Sequence, residues 1–292
     1  MHHNGIPNVF SVDVEDWYQG LEFDMDDWGP FRPRIDTGLD VLLDLLEQAG
    51  VRATFFTLGW QAEQTPGLVP RLVSRGHEIA THGYSHRFVY QMTPDNFRRE
   101  LRRSIDVLEQ QSGQKIIGHR APYFSITADS LWALDILAEE GIRYDSSIFP
   151  TLNYRYGIPG ADRYPGWIRT PSGAWLYEIP LSTVRFPGRD ARSGINLPLG
   201  GGGYFRLYPY AVTRGLARHL RQREGKGLIF YVHPWEYDPD QPHVKMPRKV
   251  PEMTHYFNLG STASKTRRLL ADFAFTTMAG AFADVLEKPP SS

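Results

Sequence analysis

The stretch Gly76-His77-Glu78-Ile79-Ala80-Thr81-His82-Gly83-Tyr84-Ser85-His86 carries a short apolar strand directly into a pair of histidines. His82 and His86 are four residues apart, so their rings meet on one face if the segment makes a helical turn. Neutral imidazole is a common ligand of zinc and similar divalent ions, and a metal site needs at least one further ligand. The pair therefore predicts a divalent metal site, with zinc as the expected ion.

Other polar residues at the ends of strand-like runs strengthen this prediction. A His-x-x-x-His pair by itself often arises by chance, and its members are then ordinary surface or capping histidines. Here acidic and basic side chains stand at comparable positions elsewhere in the chain. They are Asp13, Glu15, Asp16, Arg120 and His233. The acidic residues are the best candidates for the third metal ligand.

Strand-like and helix-like segments alternate about every thirty residues. Strands are expected at 9–14, 53–58, 79–80, 116–118, 144–145 and 228–232. Helices are expected at 36–50, where Asp36 and Thr37 would cap the first, and at 66–74, 93–113, 127–140, 212–220, 264–270 and 279–286. This alternation indicates parallel strands with covering helices, as a barrel or an open sheet. In a barrel the active site lies at the carboxyl ends of the strands.

Two regions break the alternation. Residues 150–209 are crowded with Gly, Pro, Tyr and Arg, and we expect loops there rather than a second core. Residues 238–260 are rich in proline and are also expected to be a loop. No repeat or low-complexity linker divides the chain, so the sequence predicts one domain over residues 1–292.

Composition excludes several functional classes. The chain has 292 residues, a net charge of −1 and no basic block, which argues against nucleic acid as a partner. It has no cysteine, so disulfides and thiolate metal ligands are excluded. No window approaches eighteen consecutive apolar residues, and residues 1–7 lack the apolar stretch of a signal peptide. We therefore expect no membrane span and a cytoplasmic protein.

Five motifs along the chain resemble, in order, those of the NodB-homology polysaccharide deacetylases, carbohydrate esterase family 4. They lie at residues 11–17, 82–86, 120–123, 145–147 and 232–233. The flanking stretches resemble the exosortase-associated branch, whose members tend to lie in exopolysaccharide biosynthesis loci. They are residues 11–17, 144–150, 201–206 and 233–236. The resemblance implies an irregular (β/α)7 barrel with long C-terminal loops and helices, a core over about residues 8–235 and an extension over 236–292.

The resemblance also implies a reaction, the hydrolysis of N-acetyl groups on an amino-sugar polysaccharide or its lipid-linked precursor. Asp13 matches the general base by position, and Arg120 would orient it. His233 would be the general acid, and Asp145 would tune it. The backbone N–H of Tyr123 would bind the oxyanion. A carbohydrate bearing N-acetyl groups is the expected partner.

The expected metal ligands are His82, His86 and one carboxylate. Most members of the family have two adjacent Asp residues in the first motif, whereas here Asp13 is followed by Val14, Glu15 and Asp16. Glu15 is the preferred ligand because some branches space these acids two apart. Asp16 stays open as the alternative, and the residue that is not a ligand is expected to be a helix cap or a salt-bridge partner.

Two other functions compete with deacetylation. The first is metal-free hydrolysis of a cyclic amide, as in allantoinase-like relatives of the same fold, and the intact His82 and His86 pair argues against it. The second is a non-catalytic sugar-binding module, which would tolerate loss of the base, the acid or a ligand, and none is missing. The sequence leaves open which polysaccharide is bound, whether the acetyl group is on nitrogen or oxygen, and the oligomeric state.

Overall fold

The structure, a computed structural model, describes residues 7–151, 153, 156–186, 194–246 and 249–290. Residues 1–6, which belong to the segment predicted to lack a signal peptide, lie outside the described residues. The strands are β1 (Asn8–Val14), β2 (Thr54–Thr57), β3 (Glu78–Thr81), β4 (Gly118–His119), β5 (Tyr144–Asp145), β6 (Gly166–Arg169), β7 (Trp175–Glu178), β8 (Thr183–Phe186), β9 (Ile195–Pro198), β10 (Ile229–Val232) and β11 (Phe275–Thr276).

Helices lie between the strands along the chain and also form most of its C-terminal part. The α-helices are α1 (Ile35–Gln48), α2 (Gly59–Gln64), α3 (Leu68–Ser74), α4 (Pro94–Ser112), α5 (Trp132–Glu139), α6 (Gly202–Leu207), α7 (Tyr210–Arg223), α8 (Lys249–Tyr256), α9 (Thr262–Asp272), α10 (Met278–Ala281) and α11 (Ala283–Leu286). Short 3-10 helices lie at Gln19–Leu21, Met25–Asp27, Val89–Gln91, Pro122–Phe124, Ala128–Ser130, Pro234–Tyr237 and Leu259–Ser261. Among the residues described, no helix combines the length and the hydropathy needed to cross a bilayer.

The main sheet confirms the predicted irregular (β/α)7 barrel. Its strand order is β10-β1-β2-β3-β4-β5-β7, all parallel, with β6 antiparallel at the edge of β7 and β11 beside β1. The seam between β7 and β10 is bridged by extended segments rather than by a paired strand. There Ser182 N donates to Ile229 O at 3.2 Å, and Tyr231 N donates to Gly200 O at 2.7 Å.

Strand β1 is buried along its whole length because helices cover one face and the barrel interior covers the other. Phe10 and Val12 pack in the core cluster that contains the helix residues, whereas Val9 packs in a second cluster with residues of β2, β3, β7 and β10. Successive side chains of a strand point to opposite faces. Asp13 therefore shares the interior face of β1 with Val9.

The strand register brings the polar residues to one end of the barrel. Asp13 pairs with Phe56, and Thr81 pairs with His119, which in turn pairs with Asp145. On the other side of β1, Val12 pairs with Val232, directly before His233. The carboxyl ends of β1, β3, β4, β5 and β10 thus lie at one level.

The first helix begins differently from the prediction. α1 begins at Ile35, and its first backbone donors are bound by Asp16, whose Oδ2 accepts from Arg34 N at 2.8 Å and from Ile35 N at 3.1 Å. The prediction that Asp36 and Thr37 cap this helix is wrong. The cap comes from 19 residues before the helix, so local spacing could not reveal it.

The two predicted loop regions contain regular structure, and that prediction is wrong. Residues 150–209 hold β6 to β9 and α6, and β7 belongs to the main sheet. This four-residue strand forms a hairpin with β6 and joins the main sheet through β5, a parallel partner from a separate segment of the chain. In residues 238–260, α8 contains Pro251 in its first turn, where proline costs little because that N–H lacks a helical partner.

Acid should weaken the fold through His77. This side chain is buried, its Nδ1 accepts from Ala53 N at 3.2 Å, and burial lowers its pKa to about 4, with Arg75 and Arg52 adding repulsion. The unfolded chain has a His pKa of about 6.5, so it binds more protons than the native state between pH 6.5 and 4.

The free energy of unfolding is therefore expected to fall as the pH falls through this window. Urea titrations from pH 7 to pH 4.5 measure it, and His77→Gln, which keeps an acceptor for Ala53 N, should show a smaller decrease. Equal pH dependence in the two proteins would contradict this role of His77.

Candidate active site

Three buried side chains converge at the carboxyl end of β3. His82 Nε2 lies 3.1 Å and His86 Nε2 lies 2.9 Å from the same atom, Glu15 Oε1. His82 Nδ1 donates to Arg120 O at 2.8 Å, and since a carbonyl can only accept, the hydrogen of neutral His82 is on Nδ1. Its Nε2 lone pair then faces a carboxylate oxygen. Two such atoms repel unless a proton or a metal ion lies between them.

This donor set fits a divalent ion. One ligand atom each from Glu15, His82 and His86 lies within 4.8 Å of the others. Metal–ligand bonds of about 2.0–2.1 Å in a tetrahedral site place neighbouring donors roughly 3.3 Å apart, close to the separations from Glu15. Two imidazole nitrogens and one carboxylate oxygen are a ligand set that suits zinc.

Charge also holds the site together. Burial alone would raise the pKa of Glu15, but the nearby His86 and His233 and the close contacts of both imidazoles of the pair hold it well below its usual range. Burial lowers the pKa of His86, although Glu15 opposes that shift. The carboxylate is therefore ionised at neutral pH and available as a ligand.

The histidine pair does not lie on a helical turn. Residues 82–86 form an irregular loop after β3, in which Gly83 has φ 77° and His86 has φ 57°. A positive φ is costly for a residue with a Cβ, and such strain is frequent at functional sites. The loop is held by Ser104 Oγ and Gly59 N, which both donate to Gly83 O at 2.9 Å. It brings the two ring centroids to 5.5 Å.

Asp13 and Arg120 form a buried ion pair next to this cluster. Arg120 Nη1 donates to Asp13 Oδ1 at 2.6 Å, and both side chains are almost completely buried. Arg120 Nη2 donates to Ser146 Oγ at 3.0 Å, and its guanidinium lies 4.1 Å from the ring centroid of Phe56. The structure thus brings Arg120 to Asp13 as predicted, and the serine of the 145–147 motif fixes the arginine.

His233 faces the cluster from the adjacent strand. Its Nε2 lies 3.8 Å from Glu15 Oε1, and its side chain is 15% exposed whereas that of Glu15 is 5% exposed. Burial would lower the pKa of His233, but Glu15, Glu236 and Asp13 raise it above its usual range. The imidazole can therefore carry a proton at neutral pH at the open side of the site.

The expected contact between Asp145 and His233 is not made. Asp145 Oδ1 instead accepts from His119 Nδ1 at 2.7 Å and from Ser147 Oγ at 2.7 Å. The reason is topological, since β5 and β10 are separated in the sheet by β1 to β4. The carboxylate that accepts a hydrogen bond from His233 Nδ1 is that of Glu236, at 2.8 Å.

Tyr123 lies beside the histidine pair. It has φ 55°, and its ring centroid is 4.4 Å from that of His86 and 4.3 Å from that of Phe88. Its hydroxyl donates to Gln19 O at 3.1 Å. Together with His86 and Phe88, Tyr123 lines a groove of about 240 Å³ that leads to the cluster.

Sequence reasoning missed Glu236 and Arg206 as parts of the site. Both lie in stretches that the resemblance had marked, residues 233–236 and 201–206, yet neither was given a role. The spacing of His233 and Glu236 was the available signal. An acidic residue three positions after a strand end can reach back to the backbone N–H there, as in a capping box.

Glu15 and Asp16 should respond differently to substitution. Asp16 is occupied by the α1 cap, so Asp16→Ala is expected to cost about 0.5–2 kcal/mol of stability and to leave metal content unchanged. Glu15→Ala is expected to remove the metal instead. Elemental analysis and thermal unfolding of both variants decide the matter, and metal loss in Asp16→Ala alone would reverse the assignment.

Comparisons with known proteins add independent findings. Residues 20–144 match the family model described as polysaccharide deacetylase, and residues 146–283 match a domain of unknown function, DUF3473. A peptidoglycan-N-acetylglucosamine deacetylase from Bacillus cereus is 31% identical over 117 residues, which are 36% of this chain and 42% of the relative. The first three curated relatives are matched over 35% to 54% of their own lengths.

Solved structures agree on the fold. A structure from Mycobacterium smegmatis described as a polysaccharide deacetylase has a TM-score of 0.63 at 20% identity, over 100% of this chain and 95% of that one. The Puue allantoinase has a TM-score of 0.60 at 14% identity, over 100% and 94%. These low identities establish a shared fold only. Over residues 20–144, less than half of its length, the chain is similar to the polysaccharide deacetylase family.

Proposed function

We propose that the protein is a metal-dependent N-deacetylase of an amino-sugar polysaccharide or its lipid-linked precursor, with a role in exopolysaccharide biosynthesis and zinc as the metal. One observation supports this most directly. The Asp13–Arg120 pair, the cluster of Glu15, His82 and His86, and His233 all meet at one end of the barrel. We also propose that residues 236–292 belong to the same domain, since β11 pairs with β1.

The side chains have complementary tasks in amide hydrolysis. Asp13, held by Arg120, accepts a proton from the attacking water as its oxygen bonds to the acetyl carbon. The backbone N–H of Tyr123 donates to the oxyanion. His233 gives a proton to the sugar nitrogen as the C–N bond breaks and its electron pair moves to nitrogen. The products are acetate and a free amine.

Glu15, His82 and His86 would hold the divalent ion. Such an ion supplies Lewis acidity toward the acetyl carbonyl and toward water. The role of the chain is to keep two imidazole lone pairs and one carboxylate oxygen aimed at a common point. Arg120 O contributes by fixing the tautomer of His82.

The proposed function is tested by two measurements on the purified protein. Elemental analysis should find a divalent metal close to one equivalent. Incubation with N-acetylglucosamine oligomers should release acetate, and chelation should stop the release until zinc or cobalt is added. Metal-free protein that releases acetate, or that opens a cyclic amide such as allantoin, would favour the allantoinase-like alternative. Oligomer binding without acetate release would favour a sugar-binding module.

His233→Ala is expected to slow turnover and to change its pH dependence. The sugar amine is a poor leaving group unless it is protonated, so loss of a positioned acid should lower kcat by about 10²-fold. Because the pKa of His233 is raised, the alkaline limb of kcat/KM should lie above pH 6.5 in the wild type and should flatten in the variant. A wild-type kcat and pH profile, with metal content unchanged, would place the acid elsewhere.

A further inference from the structure

Glu236 connects His233 to a buried arginine. Its Oε1 accepts from His233 Nδ1 at 2.8 Å and from His233 N at 2.9 Å, while its Oε2 accepts from Arg206 Nε at 2.7 Å. Arg206 Nη1 donates to two backbone carbonyls, His255 O at 2.9 Å and Phe257 O at 2.7 Å. The carboxylate is completely buried and Arg206 nearly so. Both carboxylate oxygens of Glu236 therefore accept hydrogen bonds from fixed partners.

The backbone beside Glu236 leaves room for its carboxylate. A Cβ placed on Gly202 would lie 2.0 Å from Glu236 Oε1, so only glycine allows this approach. Gly202 begins α6, the helix that also carries Arg206. The stretch 201–206 thus supplies both the space for the carboxylate and its counterion.

The ring of His233 is also constrained from the side. Trp235 stacks on it with a centroid separation of 4.8 Å and an interplanar angle of 20°. His255 in turn stacks on Trp235, with a centroid separation of 4.0 Å. Nδ1 is bound to Glu236, which leaves Nε2 directed toward Glu15 and Asp13. The orientation of the imidazole is fixed by contacts that come from outside the barrel strands.

We propose that Glu236 and Arg206 are positioning residues for His233, whereas the family resemblance implies only that Asp145 tunes it. Glu236 keeps the hydrogen on Nδ1 and presents Nε2 to the substrate, and Arg206 holds Glu236 in place. The residues 146–283 that match a domain of unknown function thus supply the acid of the site together with its support. This inference rests on the proposed function, in which His233 protonates the leaving amine.

The support matters at one step. When the C–N bond breaks, the proton on Nε2 moves to the sugar nitrogen, and the imidazole that remains is neutral with its hydrogen on Nδ1. Glu236 accepts a hydrogen bond from Nδ1 before and after that transfer. Loss of the Glu236 carboxylate should therefore slow protonation of the departing amine. It should have little effect on a reaction whose leaving group departs without being protonated.

Two substrates separate these cases. N-acetylglucosamine oligomers have an amine leaving group, whereas 4-nitrophenyl acetate releases a stable phenolate. Removing a group that orients another typically costs 10–100-fold, so we expect Glu236→Ala to lower kcat on the oligomers by about that factor at similar KM. Hydrolysis of 4-nitrophenyl acetate should change little. Glu236→Gln, whose amide oxygen can still accept from Nδ1, should recover part of the loss.

A control variant removes another carboxylate that is paired with an arginine, the half-buried Glu224. Glu224 accepts from Arg163 Nη2 at 2.9 Å and has no contact with His233, so Glu224→Ala should leave both activities unchanged. A parallel loss on both substrates in Glu236→Ala would assign Glu236 a structural role. Unchanged oligomer turnover in Glu236→Ala would also overturn the proposal.

A spectroscopic measurement tests the positioning without turnover. Long-range proton–nitrogen NMR on the zinc-loaded protein, at an alkaline pH where His233 is neutral and with His233 identified by its loss in His233→Ala, reports which ring nitrogen carries the hydrogen. We expect Nδ1 protonation in the wild type and in Glu236→Gln, and a mixture in Glu236→Ala. An unaltered tautomer in Glu236→Ala would overturn the inference. Failure of the proposed function is a separate outcome, in which the wild type releases no acetate from the oligomers while the NMR result still stands.

Discussion

Protein that carries both His82→Ala and His86→Ala is expected to contain no divalent metal and to release no acetate. The two substitutions remove two of the three donor atoms of the cluster and leave the oxygen of Glu15. The imidazole that remains near the buried Glu15 is that of His233, whose Nε2 lies 3.8 Å from Glu15 Oε1. Weak binding by this carboxylate and His233 would not retain zinc through chelation and dialysis, so the expected loss is complete.

A matched pair of exposed histidines provides the control for this experiment. The side chains of His219 and His243 are 49% and 58% exposed, and the described structure places neither of them at the cluster. Protein with alanine at both of these positions should keep its metal and its activity. Near-ultraviolet circular dichroism verifies that the His82 and His86 double variant is folded. Full activity in that folded double variant would disprove the proposed metal site.

Asp13→Asn is expected to separate catalysis from metal binding. Asparagine has nearly the same shape and can still accept from Arg120 Nη1, but it cannot take a proton from water. A positioned general base contributes about 10²–10⁴-fold, so kcat should fall by that factor. Metal content should stay at the wild-type value because Asp13 is not in the cluster of Glu15, His82 and His86.

The comparison variant for Asp13→Asn is Glu15→Gln. It makes the same chemical change two residues away, and it is expected to lower metal content, which Asp13→Asn should not do. Elemental analysis and steady-state kinetics on both proteins distinguish ligand from base. If Asp13→Asn retained turnover within a few-fold of the wild type, Asp13 would not be the base.

The parts of the fold that depend on local signals were predictable from the sequence. β1 and β10 are apolar runs, and α4 is marked by Thr93, whose Oγ1 accepts from Asn96 N, and by Gly113 at its end. The parts that depend on distant partners were not predictable. β7 joins the main sheet through its parallel pairing with β5, and α1 begins where Asp16 reaches it from another segment.

In the candidate site too, the residues with local sequence signals were predictable and those that depend on distant contacts were not. Motif order and strand ends led to Asp13, Arg120, His82, His86 and His233, and the structure brings these side chains together. The partner of His233 could not be found in that way. An imidazole at the mouth of a barrel can be reached from several loops, and which carboxylate arrives there depends on packing. The carboxylate found there is that of Glu236, which occupies the space beside Gly202.

The pairing of β1 with β10 has a consequence for synthesis of the chain. Val9 pairs with Ile229, so one edge of the first strand stays unsatisfied until the ribosome has added about 220 further residues. At 5–20 residues per second this takes roughly 10–40 s. During that time an apolar strand with unpaired backbone N–H and C=O groups can pair with a strand of another chain. The nascent protein is therefore a candidate client for chaperones, and a transcript truncated before codon 229 should yield aggregates.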